Sequence, residues 1–320
     1  MWKPVEKGSV PFRGKPVEKG YVPLLARDGL QNEAAVVPTR AKIALVEALA
    51  EAGGTRIEVG AFVSPKWVPQ MADTAEVFAG LTRKPGVRYS ALVPNLKGLE
   101  RAIDCGVTEV AVFAAASETF SRKNINQSID ESLATYGEVA RTALARGLLV
   151  RGYLSTSFGC PFEGDVPTSR VADLTARLLD LGVFEVAVSD TIGVAHPGQV
   201  RAVLDVLCAR FTPDQLALHF HDTRGTALAN VLAALDYEMH TFDSSPGGLG
   251  GCPYAPGATG NLATEDLIYM LDGLGVATGI DVTQAALASL AIEPVIGHRL
   301  PSRYVNAVRS RLAPGSPVPA

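Results

Sequence analysis

The sequence predicts an α/β protein built as an eight-stranded (β/α)8 barrel, the TIM barrel, with a short extension before it and a helical segment after it. Short β-branched runs alternate with Ala/Leu-rich helical patterns along most of the 320 residues. Eight such runs over about 250 residues are typical of this barrel. The alternative is an open doubly wound sheet, but no G-x-G-x-x-G motif follows the first strand.

The predicted strands follow one another at regular intervals. The first is expected at residues 21–26, where Pro23 removes one backbone donor from the ladder. The other seven are expected at 55–62, 87–94, 109–116, 148–155, 185–191, 216–222 and 240–245. Clear helical periodicity lies between them, for example at 39–53, 171–182 and 225–237.

These elements divide the chain into one catalytic domain and three smaller parts. The Pro/Gly/Lys-rich start carries a local repeat and is expected to be flexible, and the Pro-rich end is expected to be unstructured. The predicted boundaries are a flexible extension at 1–20, the barrel at 21–275, a helical segment at 276–311 and a disordered tail at 312–320.

Composition narrows the class of function. The formal net charge of −4 gives no reason to expect a nucleic acid or an anionic membrane as partner. No apolar run approaches the roughly 20 residues that span a bilayer. Four cysteines form no C-x-x-C pair, so we expect a reducing, cytoplasmic location.

Polar residues cluster where the predicted strands end. In a barrel of this kind the carboxyl ends of the strands hold the active site, so this placement predicts an enzyme. The residues concerned are Asp28, Glu58, Asn95, Glu118, Asp190, Asp222 and Ser244.

A metal site is predicted at these strand ends. His219 and His221 in "LHFHDTRG" are two apart on a strand, so both imidazoles face the same way. Asp28 in "LLARDGLQNE" can supply a carboxylate, although Arg27 and Asp28 can equally form a solvated ion pair in a turn. Asn261 can add an oxygen or cap the following helix. A mixed nitrogen and oxygen set favours Mg²⁺ or Mn²⁺ over structural Zn²⁺.

Two further features carry chemistry. Glu58 in "IEVGAF" and Asp190 in "VSDTIG" are each a candidate general base or an anchor for a ligand. The glycine-rich stretch 244–266 surrounds Cys252 but lacks the G-K-[ST] ending of a phosphate loop. We expect its glycines to be hinges that let a loop carry Cys252 to a substrate.

Eight collinear motifs give the chain a specific resemblance over residues 27–275. "RDGLQNE", "FVSPKWVPQMAD", "PNLKG", "RKNIN", "GCPFEG", "DTIGV", "HFHDTRGTALAN" and "GGLGGCPYAPGATGNLATEDLIYML" together resemble hydroxymethylglutaryl-CoA lyase, a metal-dependent TIM-barrel lyase related to Claisen-type condensing enzymes. The chain departs from the usual family pattern just before Arg27, where it reads "PLLARDG".

The resemblance implies a role for each matching residue. Asp28, His219, His221 and Asn261 would bind the divalent cation. Arg27 would bind the thioester oxygen of the substrate, and Cys252 would be the catalytic cysteine. Glu58 and Asp190 match acidic positions associated with catalysis, while Lys123 and Asn124 match a loop on the CoA side.

The implied activity is cleavage of 3-hydroxy-3-methylglutaryl-CoA to acetoacetate and acetyl-CoA, as in leucine catabolism, by an enzyme that acts as a homodimer. Three alternatives remain open from the sequence. They are a lyase for a longer 3-hydroxy-3-alkylglutaryl-CoA, a Claisen-type acyltransferase, and an inactive barrel that acts as a scaffold.

Overall fold

The computed structural model describes residues 17–251 and 260–312, with side chains described as far as Arg309. Its eight parallel strands pair in chain order and form the predicted TIM barrel. The strands are β1 (Leu24–Leu25), β2 (Arg56–Ala61), β3 (Arg88–Leu92), β4 (Glu109–Ala115), β5 (Leu149–Ser155), β6 (Glu185–Ser189), β7 (Leu216–His219) and β8 (Phe242–Asp243).

Helices lie between the strands and continue after the last one. In the described part of the chain they are α1 (Ala26–Leu30), α2 (Thr39–Glu51), α3 (Thr74–Gly80), α4 (Leu96–Asp104), α5 (Glu118–Ile125), α6 (Ile129–Ala145), α7 (Thr168–Asp180), α8 (Pro197–Leu207), α9 (Ala227–Leu235), α10 (Thr264–Gly273), α11 (Val282–Ile296) and α12 (Arg303–Leu312). No helix in this part is long and apolar enough to cross a membrane. Most of the predicted extension and all but one residue of the predicted tail fall outside the described residues.

The first strand is shorter than the sequence predicts. It spans two residues instead of six, because the chain turns into α1 at Ala26. The barrel still closes on both sides of Pro23. Tyr21 N donates to His240 O at 2.7 Å, and Leu25 N donates to Ser244 O at 2.8 Å. The barrel is therefore closed even though β1 is short.

Several other elements begin or end away from their predicted bounds. β8 spans only Phe242–Asp243 instead of 240–245. β7 stops at His219, so His221 lies beyond the strand and pairs instead with Asn261 in an isolated bridge. α9 begins at Ala227 instead of residue 225, since Gly225 has φ +71°, outside the helical region. The early end of β7 and the late start of α9 place polar residues such as His221 in the loop between these two elements.

Charged side chains lie among the buried residues of the strands. Arg151 on β5 is buried and donates from Nε to Glu185 Oε1 on β6 at 2.7 Å. Arg56 on β2 donates to both oxygens of the same Glu185, at 2.9 and 3.2 Å. Buried charges of this kind are stable only when paired. The apolar core surrounds this network and packs the strands against the helices.

The C-terminal helices support the start of the glycine-rich segment. Asp266 on α10 accepts hydrogen bonds from Ser302 Oγ at 2.8 Å and from Arg303 N at 3.0 Å, which fixes the beginning of α12. Ser302 N in turn donates to Gly247 O at 3.0 Å. The segment after the barrel is thus anchored to the loop that carries Cys252.

Candidate metal and active site

Arg27 and Asp28 belong to α1, a short helix at the mouth of the barrel. The sequence placed them just after the first predicted strand, at 21–26, and did not predict a helix there. In the structure both residues have helical backbone, and the next residue, Gly29, is a point of close packing. A Cβ atom at Gly29 would meet Ser245 Oγ and would lie 3.1 Å from Leu249 Cβ. Only glycine lets α1 pack this closely against residues 245–249.

His219 and His221 lie together in the same mouth. His219 is the last residue of β7, and the ring centroids of the two histidines are 5.2 Å apart. Nε2 of His219 is 3.9 Å from Asp28 Oδ2. One ligand atom from each of Asp28, His219 and His221 lies within 4.8 Å of the other two, which is compatible with binding to one ion.

Asn261 completes this group from the far side of the glycine-rich segment. It pairs with His221 in an antiparallel bridge, and its Nδ2 donates to Leu249 O at 3.0 Å. Its Oδ1 is left for another partner. Asn261 lies outside α10, which begins at Thr264, so it does not cap that helix as the alternative interpretation proposed. We refer to Asp28, His219, His221 and Asn261 as the ligand cluster.

Two unpartnered buried atoms indicate that the ligand cluster fits a cation. Among the described residues, neither Nδ1 of His221 nor Oδ1 of Asn261 has a hydrogen-bond partner, and Nδ1 of His219, which faces Asp243, also has none. The side chains of His221 and Asn261 are buried, and a buried polar atom without a partner is unfavourable by about 1–3 kcal/mol. Coordination to a divalent cation satisfies such atoms. The donor set of imidazoles, a carboxylate and an amide suits Mn²⁺ or Mg²⁺.

The protonation of the ligand cluster depends on the charges that surround it. Burial alone would raise the pKa of Asp28, but Arg27 and His219 hold it below its usual value. Burial lowers the pKa of His221 to about 4, and nearby His219 adds to this effect. His221 is therefore neutral at physiological pH, as a metal-binding imidazole must be.

Arg27 is held in a network of hydrogen bonds beside the ligand cluster. Its Nε donates to Glu58 Oε1 at 2.6 Å, and its Nη1 donates to Asp28 Oδ1 and Gln31 Oε1, both at 3.1 Å. Tyr153 OH donates to the other Glu58 oxygen at 3.0 Å. Burial raises the pKa of Glu58, although Arg27 opposes the shift. Both oxygens of Glu58 are thus engaged, one by Arg27 and the other by Tyr153.

Asp190 lies immediately after β6, next to His219. Its backbone N donates to His219 O at 2.8 Å. The carboxylate accepts hydrogen bonds from Val194 N at 2.9 Å and Ala195 N at 3.0 Å, so it also organises its own turn. Burial raises the pKa of Asp190 to about 6. A carboxylate in that range can accept a proton near neutral pH.

The remaining predicted residues are exposed on a helix or lie outside the described residues. Lys123 and Asn124 are exposed on α5, and Lys123 Nζ lies 4.6 Å from the ring centroid of Phe162. Cys252 lies outside the described residues. The chain just before it is fixed by Asn32 Nδ2, which donates to Gly251 O at 2.7 Å.

Four residues of the site were missed from the sequence. Gln31 donates to Asp28 Oδ1 at 2.8 Å, and Tyr153 holds Glu58 as described above. Arg151 donates to both oxygens of Asp243, and Asp243 Oδ2 lies 3.4 Å from His219 Nδ1. Arg151 and Tyr153 are two apart on a predicted strand, so their side chains point to the same face. This spacing could have predicted a pair of polar side chains facing the barrel interior.

Known proteins with the same fold and similar sequence identify the family. The family model described as HMGL-like matches residues 24–292. Mitochondrial hydroxymethylglutaryl-CoA lyase of Bos taurus is 50% identical over 281 residues, which is 88% of this chain and 86% of the bovine protein.

Two similar proteins from Pseudomonas aeruginosa support the same family. A protein named 3-hydroxy-3-isohexenylglutaryl-CoA/hydroxy-methylglutaryl-CoA lyase is 50% identical, covering 89% of this chain and 95% of its own length. A crystal structure of hydroxymethylglutaryl-CoA lyase has a TM-score of 0.91 and 48% identity, over 92% of this chain and 99% of the other. The chain is thus similar to these enzymes in sequence and fold over nearly its whole length, and it belongs to the hydroxymethylglutaryl-CoA lyase family.

Proposed function

We propose that this protein cleaves 3-hydroxy-3-methylglutaryl-CoA to acetoacetate and acetyl-CoA in the presence of a divalent cation. The observation that carries the proposal is the ligand cluster next to Arg27 in a chain of this family. Asp28, His219, His221 and Asn261 would hold Mg²⁺ or Mn²⁺. When bound, the cation supplies Lewis acidity toward oxygens of the substrate.

The reaction requires a base for the proton of the 3-hydroxyl group. Asp190 is the stronger candidate, because burial raises its pKa to about 6 and it adjoins His219. Glu58 accepts from the charged guanidinium of Arg27 and from Tyr153, whereas Asp190 accepts from backbone N–H groups of its own turn. The ion pair suits Glu58 to positioning Arg27. As the proton leaves, the C2–C3 bond breaks and its electron pair moves into the enolate of acetyl-CoA.

The enolate needs a fixed positive charge and then a proton. Arg27 remains protonated at any physiological pH and would stabilise the enolate oxygen. The thiol of Cys252 would donate a proton to C2, since an ordinary thiol with a pKa of about 8.5 is protonated at neutral pH. The proton that Asp190 took from the 3-hydroxyl group then returns to the Cys252 thiolate, which completes the cycle. Lys123 and Asn124 would contact the CoA part of the substrate.

A direct assay tests the proposal. Purified protein with Mn²⁺ or Mg²⁺ is given 3-hydroxy-3-methylglutaryl-CoA, and acetoacetate and acetyl-CoA are measured. We expect equimolar products, loss of activity with EDTA, and recovery when the cation is restored. A preparation that stays inactive with either cation contradicts the proposal. Activity unaffected by EDTA contradicts the role of the ligand cluster.

A lyase acting on longer substrates is the second candidate, because a relative that is 50% identical carries an isohexenyl substrate in its name. Comparing kcat/KM for 3-methyl and longer 3-alkyl substrates distinguishes the two. A faster reaction with a longer chain favours the second candidate. A Claisen-type acyltransferase would instead consume acetyl-CoA together with a 2-oxoacid, which an incubation with those two substrates and a measurement of released CoA detects.

Two properties complete the proposal. We expect a homodimer, as the resemblance suggests, and light scattering of the purified protein measures its mass directly. We also expect a reducing, cytoplasmic compartment, because Cys105, Cys160 and Cys208 are free thiols. Fractionation of the source cells tests that location.

A further inference from the structure

Asp243 faces the nitrogen of His219 that points away from Asp28. His219 and Asp243 are paired neighbours on β7 and β8, so their side chains lie on the same side of the sheet. Asp243 Oδ2 is 3.4 Å from His219 Nδ1, which makes no hydrogen bond among the described residues, while His219 Nε2 is 3.9 Å from Asp28 Oδ2. The two ring nitrogens therefore face two different carboxylates.

Asp243 is itself held rigidly. Arg151 Nη2 donates to Asp243 Oδ1 at 2.8 Å, and Arg151 Nη1 donates to Asp243 Oδ2 at 3.1 Å. Arg151 is fixed from its other side by Glu185, which accepts from Nε at 2.7 Å. All three side chains are buried. Such a two-pronged contact fixes the plane of the carboxylate and keeps it an acceptor.

We propose that Asp243 is a positioning residue that keeps the proton of neutral His219 on Nδ1 and thereby presents Nε2 to the cation. An imidazole offers one nitrogen to a metal, and the hydrogen bond at the other nitrogen selects which one. Asp243 is fixed on the side of the ring away from Asp28, so it can act on Nδ1 without belonging to the ligand cluster. Tyr153, at the edge of the His219 ring, restricts its rotation.

A bound cation would strengthen the same contact. Coordination at Nε2 makes the Nδ1 proton more acidic and a better hydrogen-bond donor, so Asp243 and the cation support each other through the ring. The inference rests on the proposed cation site. It adds a residue on β8, a strand from which no ligand was predicted.

The first test compares metal affinity in two variants of the same buried network. Mn²⁺ binding is measured by electron paramagnetic resonance in the wild-type chain, in Asp243→Asn and in Glu185→Gln. Glu185 contacts Arg151 as Asp243 does but does not face His219. We expect Asp243→Asn to bind Mn²⁺ about 10–100-fold more weakly. Glu185→Gln keeps an amide oxygen that can still accept from Arg151 Nε, so it should lose much less affinity than Asp243→Asn.

Each other outcome has a distinct meaning. Equal losses in the two variants assign the effect to the charge network as a whole and overturn the role of Asp243. An unchanged affinity in Asp243→Asn overturns it as well. If the wild-type chain itself fails to bind Mn²⁺, the proposed function fails at the cation site before Asp243 is tested.

The second test needs no change at Asp243 and so does not depend on the variant folding. Histidine labelled with ¹⁵N is introduced into the wild-type chain, and the ring nitrogens are observed by NMR without metal at alkaline pH, where the imidazoles are neutral. A His219→Gln variant identifies the signal. We expect the proton of His219 on Nδ1. A proton on Nε2 contradicts the proposal, whatever the metal affinity.

Discussion

At the scale of single residues, the Arg27 side chain contacts three other residues of the candidate site. Its guanidinium group contacts Glu58 through Nε and reaches Asp28 and Gln31 through Nη1. Lysine has one nitrogen at the end of a flexible chain and cannot hold these three partners at once. Arg27 therefore both carries the charge for the enolate and orients a member of the ligand cluster.

We expect Arg27→Lys to lower kcat by about 10²–10³-fold, the usual effect of losing one donor to a developing oxyanion. The KM and the Mn²⁺ affinity should change less, because the ligand cluster keeps its donors. Steady-state kinetics and metal titration measure these quantities. Arg177→Lys is a matched control at an exposed ion pair with Asp130, and it should keep full activity. An unchanged kcat in Arg27→Lys would exclude the proposed role.

Cys252 gives a second prediction at this scale. Cys252→Ala should bind Mn²⁺ normally yet lose about 10²–10⁴-fold in turnover, because only the proton donor is removed. Cys208→Ala is the control, since Cys208 is a free thiol at the end of α8. Acetoacetate release is the measurement for both variants. Near-normal turnover in Cys252→Ala would refute the acid role.

At the scale of elements, the packing of α1 against residues 245–249 determines where Asp28 lies. We expect Gly29→Ala to destabilise the fold by about 1–3 kcal/mol, because its Cβ overlaps Ser245 and crowds Leu249. The displaced helix should also weaken Mn²⁺ binding. Urea unfolding and metal titration measure the two effects.

The matched control for Gly29 is Gly273, the last residue of α10, where an added Cβ has nothing within 4 Å. Gly273→Ala should leave stability and Mn²⁺ affinity at or above the wild-type values, since alanine favours helix. If both alanine variants behave alike, close packing of α1 is not what positions Asp28.

Glu265 on α10 gives a pH-dependent prediction for another element. It is fully buried, accepts hydrogen bonds from Gly247 N and Ser289 Oγ, and burial raises its pKa from its usual value near 4.5 to about 7. Between these values the folded chain binds more protons than the unfolded chain, so this group makes stability fall as pH rises.

The stability of the wild type relative to Glu265→Gln should therefore decrease between pH 5 and pH 8, by about 1–3 kcal/mol. Glutamine does not ionise, so the variant removes this contribution and leaves other pH effects in place. Urea unfolding of both proteins at the two pH values gives the difference. A relative stability that rises with pH would show that the carboxyl group is not held protonated.

Sequence patterns predicted which strands and helices exist more accurately than they predicted where each one begins and ends. The alternation of short apolar runs with helical patterns predicted all eight strands. Such runs are visible in the sequence because a buried strand needs apolar residues along its length. The shortness of β1 and the helical backbone of Arg27 and Asp28 were missed. The chain enters α1 directly after Leu25, and Gly29 of that helix approaches Ser245 closely; such tertiary packing leaves no periodic signal in the sequence.

At the scale of the whole molecule, the candidate site depends on closure of the barrel. The H-x-H motif and a carboxylate at a strand end predicted which residues can bind the cation. That these residues come close together could be inferred only from the predicted barrel, because they are far apart in the sequence. Asp28 follows β1 and His219 ends β7, with β8 between them in the closed barrel. Asp243 was missed because its partner is 24 residues away and becomes its neighbour only when β7 and β8 pair.

A cation at this site would join the two ends of the barrel and should stabilise the entire fold. Binding to the folded chain alone adds about 2.7 kcal/mol at a Mn²⁺ concentration 100 times the Kd. We expect Tm to rise with Mn²⁺ concentration and to fall back with EDTA. His221→Ala should show a much smaller rise, because it removes one ligand without disturbing the strand pairing of β7. Differential scanning calorimetry of both proteins measures the shift. An equal rise in the two would place the stabilising Mn²⁺ at some other site on the protein.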